Sequence, residues 1–416
     1  ASELKKIPLL IIDDEADQAS IDANYLKTRK KLEKTKKVYK KSELNEEATK
    51  INKHIKSLID KFKKSAYVGY TATPFANVFI DPDDLYKNLY PINYIHMLPK
   101  PKAYFGAAEI FGDPVLRSAY VVSDKVGTKK ENIAVLKTGV IPESLENAIF
   151  TFLICFAIRI VRKEGRKSMS MLIHINHKNQ DQDHTLEAVK KRVKNIKKVI
   201  NYKTKQGDIF RNKLERQYDK VKSNGIIINE GTGSKTRTFS TFEKILKVLK
   251  DNIDQIELKK VNGDSDDELD YVKNPSMKVI AIGGNKLSRG LTLDGLMVSY
   301  FLRDSNRADT LMQMGRFFGY RSGYNDVMRI FTTEQLVADF GDLIETEDKL
   351  RDEVDRYVEE GVTPKKFAPA VKAMSRMMPS GKMGNAQLNR RSFGSSESST
   401  FYFKLKDTKL LNRNMK

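Results

Sequence analysis

Leu9-Leu10-Ile11-Ile12-Asp13-Asp14-Glu15-Ala16-Asp17 is the stretch on which the reading of this chain turns. An apolar run that breaks into acids is the pattern of a strand buried in a parallel sheet. Ligands of such sheets bind at the carboxyl ends of the strands, where these acids fall. There Asp14 is placed to hold the Mg²⁺ of a nucleotide, and Glu15 to orient and deprotonate an attacking water. The plainer reading is an acidic helix start, since carboxylates favour that end of the dipole.

Outward from this stretch, strands and helices alternate. Residues 22–64 read as lysine-rich helix, and Ala66–Tyr70 as a strand leading into Thr71-Ala72-Thr73-Pro74. Small hydroxyl side chains at a strand end, here Thr71 and Thr73, can couple a hydrolysis site to a partner-binding face. Residues 81–140 carry Pro82, Pro91, Pro99, Pro101 and Pro114 and read as irregular. Residues 142–163 make an apolar helix, and Met169–Ile175 a strand. Helices follow over 181–222, a strand over Gly225–Asn229 and a helix over 239–250. Then come strands at 277–282 and 296–302, a helix at 306–319 and a strand at 327–331. Alternation of this kind builds a parallel α/β sheet. From about residue 340 the chain reads as helical and then polar, with a loop-like Arg390–Thr400.

Two more segments carry chemistry. Ala281-Ile282-Gly283-Gly284-Asn285-Lys286-Leu287-Ser288-Arg289-Gly290-Leu291-Thr292-Leu293-Asp294-Gly295 takes a strand into a glycine-rich loop, where backbone can approach phosphates closely. Gln313-Met314-Gly315-Arg316-Phe317-Phe318-Gly319-Tyr320-Arg321 follows, with arginines suited to charge on a γ-phosphate. Turn plus basic helix end is the bland alternative for both, and Phe317-Phe318 reads as core packing before base stacking.

Order and spacing make the resemblance specific. Asp14-Glu15-Ala16-Asp17, Thr71-Ala72-Thr73, Ser288-Arg289-Gly290-Leu291-Thr292 and Gln313-Met314-Gly315-Arg316 resemble motifs II, III, V and VI of the superfamily 2, DEAD-type helicases. The longer strings Tyr67–Asn77, Leu98–Gly106 and Leu311–Arg321 resemble the Z1-domain group, over roughly residues 7–380. The resemblance implies two RecA-like parallel-sheet lobes. The first is truncated and covers 1–90 with a lysine-rich helical insertion. A connecting region at 91–141, a second lobe at 142–335 and a helical and polar region at 336–416 follow. It implies ATP and Mg²⁺ as cofactors, with Asp14 and Glu15 facing Mg-ATP and Gly290, Asp294 and Gln313 contacting the nucleotide. Arg316 or Arg321 would be the arginine finger. Thr71 and Thr73 would couple the lobes, and Ser288, Arg289 and Thr292 would lie along a nucleic acid, DNA foremost. The family is associated with endonuclease activity and with restriction-modification and phage-defence systems, so partner subunits of that kind are expected.

The sequence departs from the helicase pattern in three ways. The arginines of Gln313–Arg321 stand five apart, Thr292 stands where many relatives carry an acid, and no Walker A string occurs. Gly231-Thr232-Gly233-Ser234-Lys235-Thr236 has Ser where Gly must precede Lys. The expectation is therefore a fragment that does not hydrolyse ATP alone. Three functions stay open: an ATP-dependent translocase, a metal-dependent endonuclease and a non-enzymatic nucleic-acid-binding module. For the nuclease the candidates are weak. His174, His177 and His184 crowd with Asp181 and Asp183, and Glu257-Leu258-Lys259 follows Asp251 and Asp254.

Composition agrees. Lys and Arg number 75 against 54 Asp and Glu, a net charge of +21, which favours a polyanionic partner. There is no apolar run of membrane length and no leader-like start, so no membrane partner is expected. The single cysteine, Cys155, excludes a disulfide within the chain and fits a reducing cytoplasm.

Overall fold

The computed structural model describes residues 6–22, 49–80, 89–233, 237–261, 269–284, 292–321, 323–366, 371 and 374–380. The fold is mixed α/β, built around a six-stranded parallel sheet. In chain order the described elements begin with β1 (Leu9–Asp14), α1 (Lys50–Asp60), β2 (Ser65–Tyr70) and α2 (Phe75–Val78). Next come β3 (Tyr104–Phe105), a π-turn at Ala108–Gly112, α3 (Pro114–Tyr120), β4 (Val121–Val122) and α4 (Lys129–Lys137). Then follow α5 (Glu143–Val161), β5 (Met169–His174), α6 (Asn179–Val199), α7 (Lys205–Gly231), α8 (Phe242–Asn252) and β6 (Glu257–Val261). Last are β7 (Lys278–Gly283), β8 (Leu296–Phe301), α9 (Ala308–Met314), β9 (Gly319–Tyr320), β10 (Arg329–Thr332) and α10 (Glu334–Glu359).

The sheet order is β4-β10-β8-β5-β7-β6. Strands β5, β7, β8 and β10 are buried along their whole length, as strands covered on both faces must be. Even Lys278 is buried, and its ammonium donates to the carbonyls of Gly165 (2.9 Å) and Lys167 (2.8 Å) and to that of Ser276. Burial pulls its pKa down to about 8. Helix α5 is long and apolar enough to cross a membrane, yet most of it is buried inside the protein, against β8, β10, α7 and α8.

Several expectations need correction. Gly225–Asn229 is no strand; it lies inside α7. Tyr218, Val221, Gly225 and Ile228 repeat at three- and four-residue spacing and face the core, overriding the β-branched run Ile226–Ile228. Gly225 is needed there, because a Cβ would sit 2.4 Å from the Phe239 ring and 3.0 Å from the Asp326 carbonyl. The stretch 81–140 is not irregular throughout. Pro114 starts α3 behind an Asp113 cap, whose carboxylate accepts from Leu116 N at 2.8 Å. Thr128 and Glu131 form a capping box that starts α4. The helix expected at 306–319 stops at Met314, and Gly319–Tyr320 pairs instead with Tyr104–Phe105.

The first strand also differs from expectation. β1 alternates in burial, with Leu10 61% and Ile12 65% exposed. It pairs in parallel with β2, from Leu9↔Ser65 to Asp14↔Tyr70, and β2 is its one partner among the described residues. The helix expected within 22–64 is described only as α1; the lysine run from Lys30 to Lys41 and the loop Arg390–Thr400 lie outside the described residues.

Candidate functional site

The carboxyl ends of β1 and β2 meet a turn that carries the acids. The register brings Asp14 opposite Tyr70, and Ala16 N donates to Tyr70 O at 2.9 Å. Gly69 lets this turn close: a Cβ at that position would lie 2.8 Å from the Ala16 Cβ. Glu15 occupies the left-handed region with φ 60°, a conformation costly for a residue with a Cβ and one that recurs at functional sites. Its backbone N–H donates to Asp14 Oδ1 (3.0 Å), and its carboxylate accepts from Gln18 Nε2 (2.7 Å). Asp14 and Glu15 are exposed, whereas Asp17 is buried.

Asp17 is the hub that sequence reading missed. Thr71 Oγ1 donates to Asp17 Oδ1 at 2.8 Å, and Thr73 Oγ1 donates to Asp17 Oδ2 at 3.0 Å. Thr73 N donates to Thr71 Oγ1 at 2.9 Å, which locks the Thr-Ala-Thr turn. Gln313 Nε2, on the last turn of α9, reaches Asp17 Oδ2 at 3.2 Å and Thr73 Oγ1 at 3.3 Å. Three segments far apart in sequence therefore share one buried carboxylate. The signal was present, since Asp17 is the last letter of the quoted acidic string and sits one turn beyond Asp14.

Past Gln313 the chain turns sharply at Gly315, where a Cβ would sit 2.4 Å from the Phe318 ring. Phe317 is buried against Phe111, Phe301 and Phe340, so it anchors the loop in the core. The two arginines then separate in role. Arg321 turns inward and donates to the carbonyls of Arg316 (2.9 Å) and Phe318 (3.0 Å), bracing the loop. Arg316 is half-buried; burial lowers its pKa, and the nearby Glu15 carboxylate opposes that shift. The Glu15 carboxylate thus lies within electrostatic reach of the Arg316 guanidinium.

Other expected site residues fall elsewhere. Ser288, Arg289 and Gly290 lie outside the described residues. Thr292 and Asp294 are exposed and precede β8, at the opposite edge of the sheet from the carboxyl ends. The Asp294 carbonyl accepts from Ser170 Oγ (2.6 Å) near the start of β5, so the fold does not bring Asp294 to Gln313. Among the described residues no group of three or more His, Cys, Asp or Glu is placed to hold a metal. His174 is buried while His177 is exposed, and Asp183 pairs with Lys260. Glu257 lies on edge strand β6 beside Lys259, and Asp254 pairs with Lys197. A Mg²⁺ at Asp14 would accordingly draw most of its oxygens from phosphate and water, the usual habit of that ion. Asp14 is exposed enough to take part, and Asp17 is committed to its three donors.

The molecule is thus an α/β protein whose acidic, hydroxyl and arginine-bearing turns converge at strand ends. The Z1 domain model matches residues 144–378, more than half of the 416, and the chain belongs to the Z1 domain family. No curated protein and no solved structure matches it.

Proposed function

We propose that this chain is part of an ATP-dependent, helicase-like motor acting on nucleic acid, DNA in the first instance, with β1–β2 belonging to one RecA-like lobe and the six-stranded sheet to the other. The observation that carries this reading is the Asp17 carboxylate shared by Thr71, Thr73 and Gln313. Such a shared buried group ties the position of the α9 end to that of the acidic turn, as a motor needs when a cleft opens and closes. The excess of 75 cationic over 54 acidic side chains supports a polyanionic track.

In this reading Asp14 holds the magnesium of bound nucleotide, which supplies charge neutralisation on the phosphates. Glu15, fixed by its turn and by Gln18, orients and deprotonates the attacking water. Arg316 places a cation opposite Glu15, where negative charge develops, and Arg321 holds the loop that presents it. In this reading Arg316 is the finger and Arg321 its brace. The sequence contains no Walker A string, so this reading requires a phosphate grip of another kind. A place in a restriction or phage-defence system, with partner subunits, is part of the proposal through the family resemblance.

The test is DNA-stimulated ATP hydrolysis by the polypeptide with every residue its gene encodes. Glu15→Gln and Arg316→Ala are each expected to lower kcat at least ~100-fold, the usual scale for a general base or an arginine finger. Unchanged turnover in Glu15→Gln sinks the assignment. DNA cleavage that survives Glu15→Gln without ATP would replace the motor with a nuclease, and salt-dependent binding without turnover would replace it with a binding module.

A further inference from the structure

Residues 188–206 hold eight lysines and arginines and no acid. Over a third of the net charge of +21 thus falls in this one stretch, well beyond its share of a general lysine bias. Most of these cations belong to the second half of α6. Ala188, Val189, Val193 and Ile196 of that half are buried. Lys191, Lys194 and Lys198 recur at three- and four-residue spacing, so they share one face of the helix, and all three are exposed.

Helix α4 packs on α6, and the turn that follows α4 stands beside this lysine face. Gly139 makes the turn possible: its φ is +76°, and its N–H donates to Leu136 O at 3.0 Å. Between turn and helix runs a groove of about 450 Å³, lined by Val140, Ile141 and Ala188 and by Lys191, Lys194 and Lys198. Val140 is 56% exposed, so the groove has an open apolar wall opposite its cations. Arg192 stiffens the cationic side. Its Nη2 meets Glu146 Oε1 at 2.6 Å, its Nη1 donates to Asn195 Oδ1 at 2.8 Å, and its guanidinium lies over the Phe150 ring at 5.7 Å. The acids of the neighbouring elements are engaged: Glu146 also pairs with Lys213 at 3.3 Å, and Asp254 pairs with Lys197 at 3.3 Å. Lys191, Lys194 and Lys198 form no ion pair among the described residues. Glu187, exposed one turn before Lys191, sets a single carboxylate against three ammoniums.

A row of unpaired cations gains most from a polymer of phosphates, which releases condensed counterions as it binds. From Lys191 to Lys198 the helix rises about 10 Å, and a strand at about 3.4 Å per phosphate passes three of them in that length, one for each ammonium. A lipid surface fits less well, because a membrane-binding helix carries large apolar side chains beside its lysines, and the exposed residues of α6 are all polar. A duplex keeps its bases stacked inside, whereas a single strand leaves sugars and base faces open to the wall at Val140 and Ile141. We propose that the groove between the α4–α5 turn and α6 binds single-stranded nucleic acid, with Lys191, Lys194 and Lys198 on successive phosphates and Val140 against a sugar or base. The site gives the proposed motor a contact with its track. It rests on the nucleic-acid part of that reading and not on Glu15 or Arg316.

The experiment measures binding without ATP, from the anisotropy of a fluorescein-labelled single strand of about 20 nucleotides across a series of salt concentrations. The triple variant Lys191→Ala, Lys194→Ala, Lys198→Ala is expected to weaken binding about 100-fold at about 0.1 M salt and to lower the salt slope by about two, since each single-strand phosphate contact contributes about 0.7. Arginine at the same three positions keeps the charges and should bind within about threefold of wild type. A second triple variant, Lys220→Ala, Lys222→Ala, Lys349→Ala, removes as many exposed charges from α7 and α10 and should cost less than about threefold. The inference is overturned, with the motor reading untouched, if wild type binds the strand and the groove variant stays within about threefold of it. Equal losses in the two alanine variants overturn it as well, because they show a general effect of charge. A greater loss on a duplex of the same length than on the single strand overturns the single-strand assignment. Wild type that binds no oligonucleotide, whether or not it binds phosphatidylserine vesicles, overturns this inference and the nucleic-acid reading together.

Discussion

Cutting the bond between Gln313 and Asp17 should reveal how firmly the α9 end is tied to the acidic turn. Asp17 is 4% exposed and accepts from Thr71 Oγ1 at 2.8 Å, Thr73 Oγ1 at 3.0 Å and Gln313 Nε2 at 3.2 Å. Hydrogen bonds to a charged group contribute roughly 1.5–3 kcal/mol each, and their losses do not add. Asp17→Ala, which strands three donors, should therefore cost about 3–5 kcal/mol, the scale of breaking a buried polar network. Gln313→Ala removes the longest of the three bonds to Asp17 together with the 3.3 Å bond to Thr73 Oγ1, both near the outer limit of N–H···O geometry, and should cost about 1–2 kcal/mol. In an Asp17→Ala background the same Gln313→Ala change has only the long Thr73 bond left to remove and should cost under ~0.5 kcal/mol. The double-mutant cycle then yields a coupling energy of about 1–1.5 kcal/mol, read from urea unfolding of the four proteins. Equal costs of Gln313→Ala in both backgrounds, within ~0.3 kcal/mol, would show that the link carries no energy and would remove the main support for the motor reading.

Two further outcomes follow from buried groups. Burial, and secondarily Arg303, pulls the His174 pKa from 6.5 down to about 3, so the folded protein keeps this ring neutral while the unfolded chain protonates it. The folded pKa is the lower one; its stabilising contribution is present above about pH 6.5 and is lost as pH falls toward about 3. Wild type should thus lose about 2 kcal/mol from this group between about pH 7.5 and 5, at roughly 1.4 kcal/mol per pH unit. His174→Phe should flatten that limb of the urea-midpoint profile, and parallel profiles would contradict the assignment. Cys155 is 0% exposed and burial pushes its thiol up to about 12, so a disulfide reagent at about pH 8 should find no reactive thiol until the protein unfolds. Rapid labelling of the native protein would show that the α5 core opens.

Local pattern was a good guide wherever one segment settles its own structure. The strands at β5, β7 and β8 were legible because an unbroken apolar run suits a strand covered on both faces. The α5 helix was legible from Pro142 and the apolar positions behind it. Reading failed where packing outvoted the local signal. Ile226-Ile227-Ile228 favours a strand, but the core-facing positions of α7 and the Phe239 ring over Gly225 hold it in a helix. Proline was read as a breaker at Pro114, where it begins a helix. On β1 the apolar run implied burial on both faces, yet Leu10 and Ile12 are exposed, because burial belongs to what packs on a strand and not to the strand.

The sequence by itself determined the alternating α/β character, the family and the residue types available for chemistry, because each is written in contiguous stretches. It also placed Thr71, Thr73 and Gln313 among the residues of interest. Only the tertiary structure decided that all three converge on Asp17, that Arg321 braces the loop while Arg316 lies within electrostatic reach of Glu15, and that Asp294 lies at the far edge of the sheet. The reason is distance along the chain. Periodicity relates residues within a turn or a strand, whereas Gln313 is 296 residues from Asp17 and 240 from Thr73. Their meeting is set by strand order and by the aromatic packing of Phe317, and no local spacing encodes either.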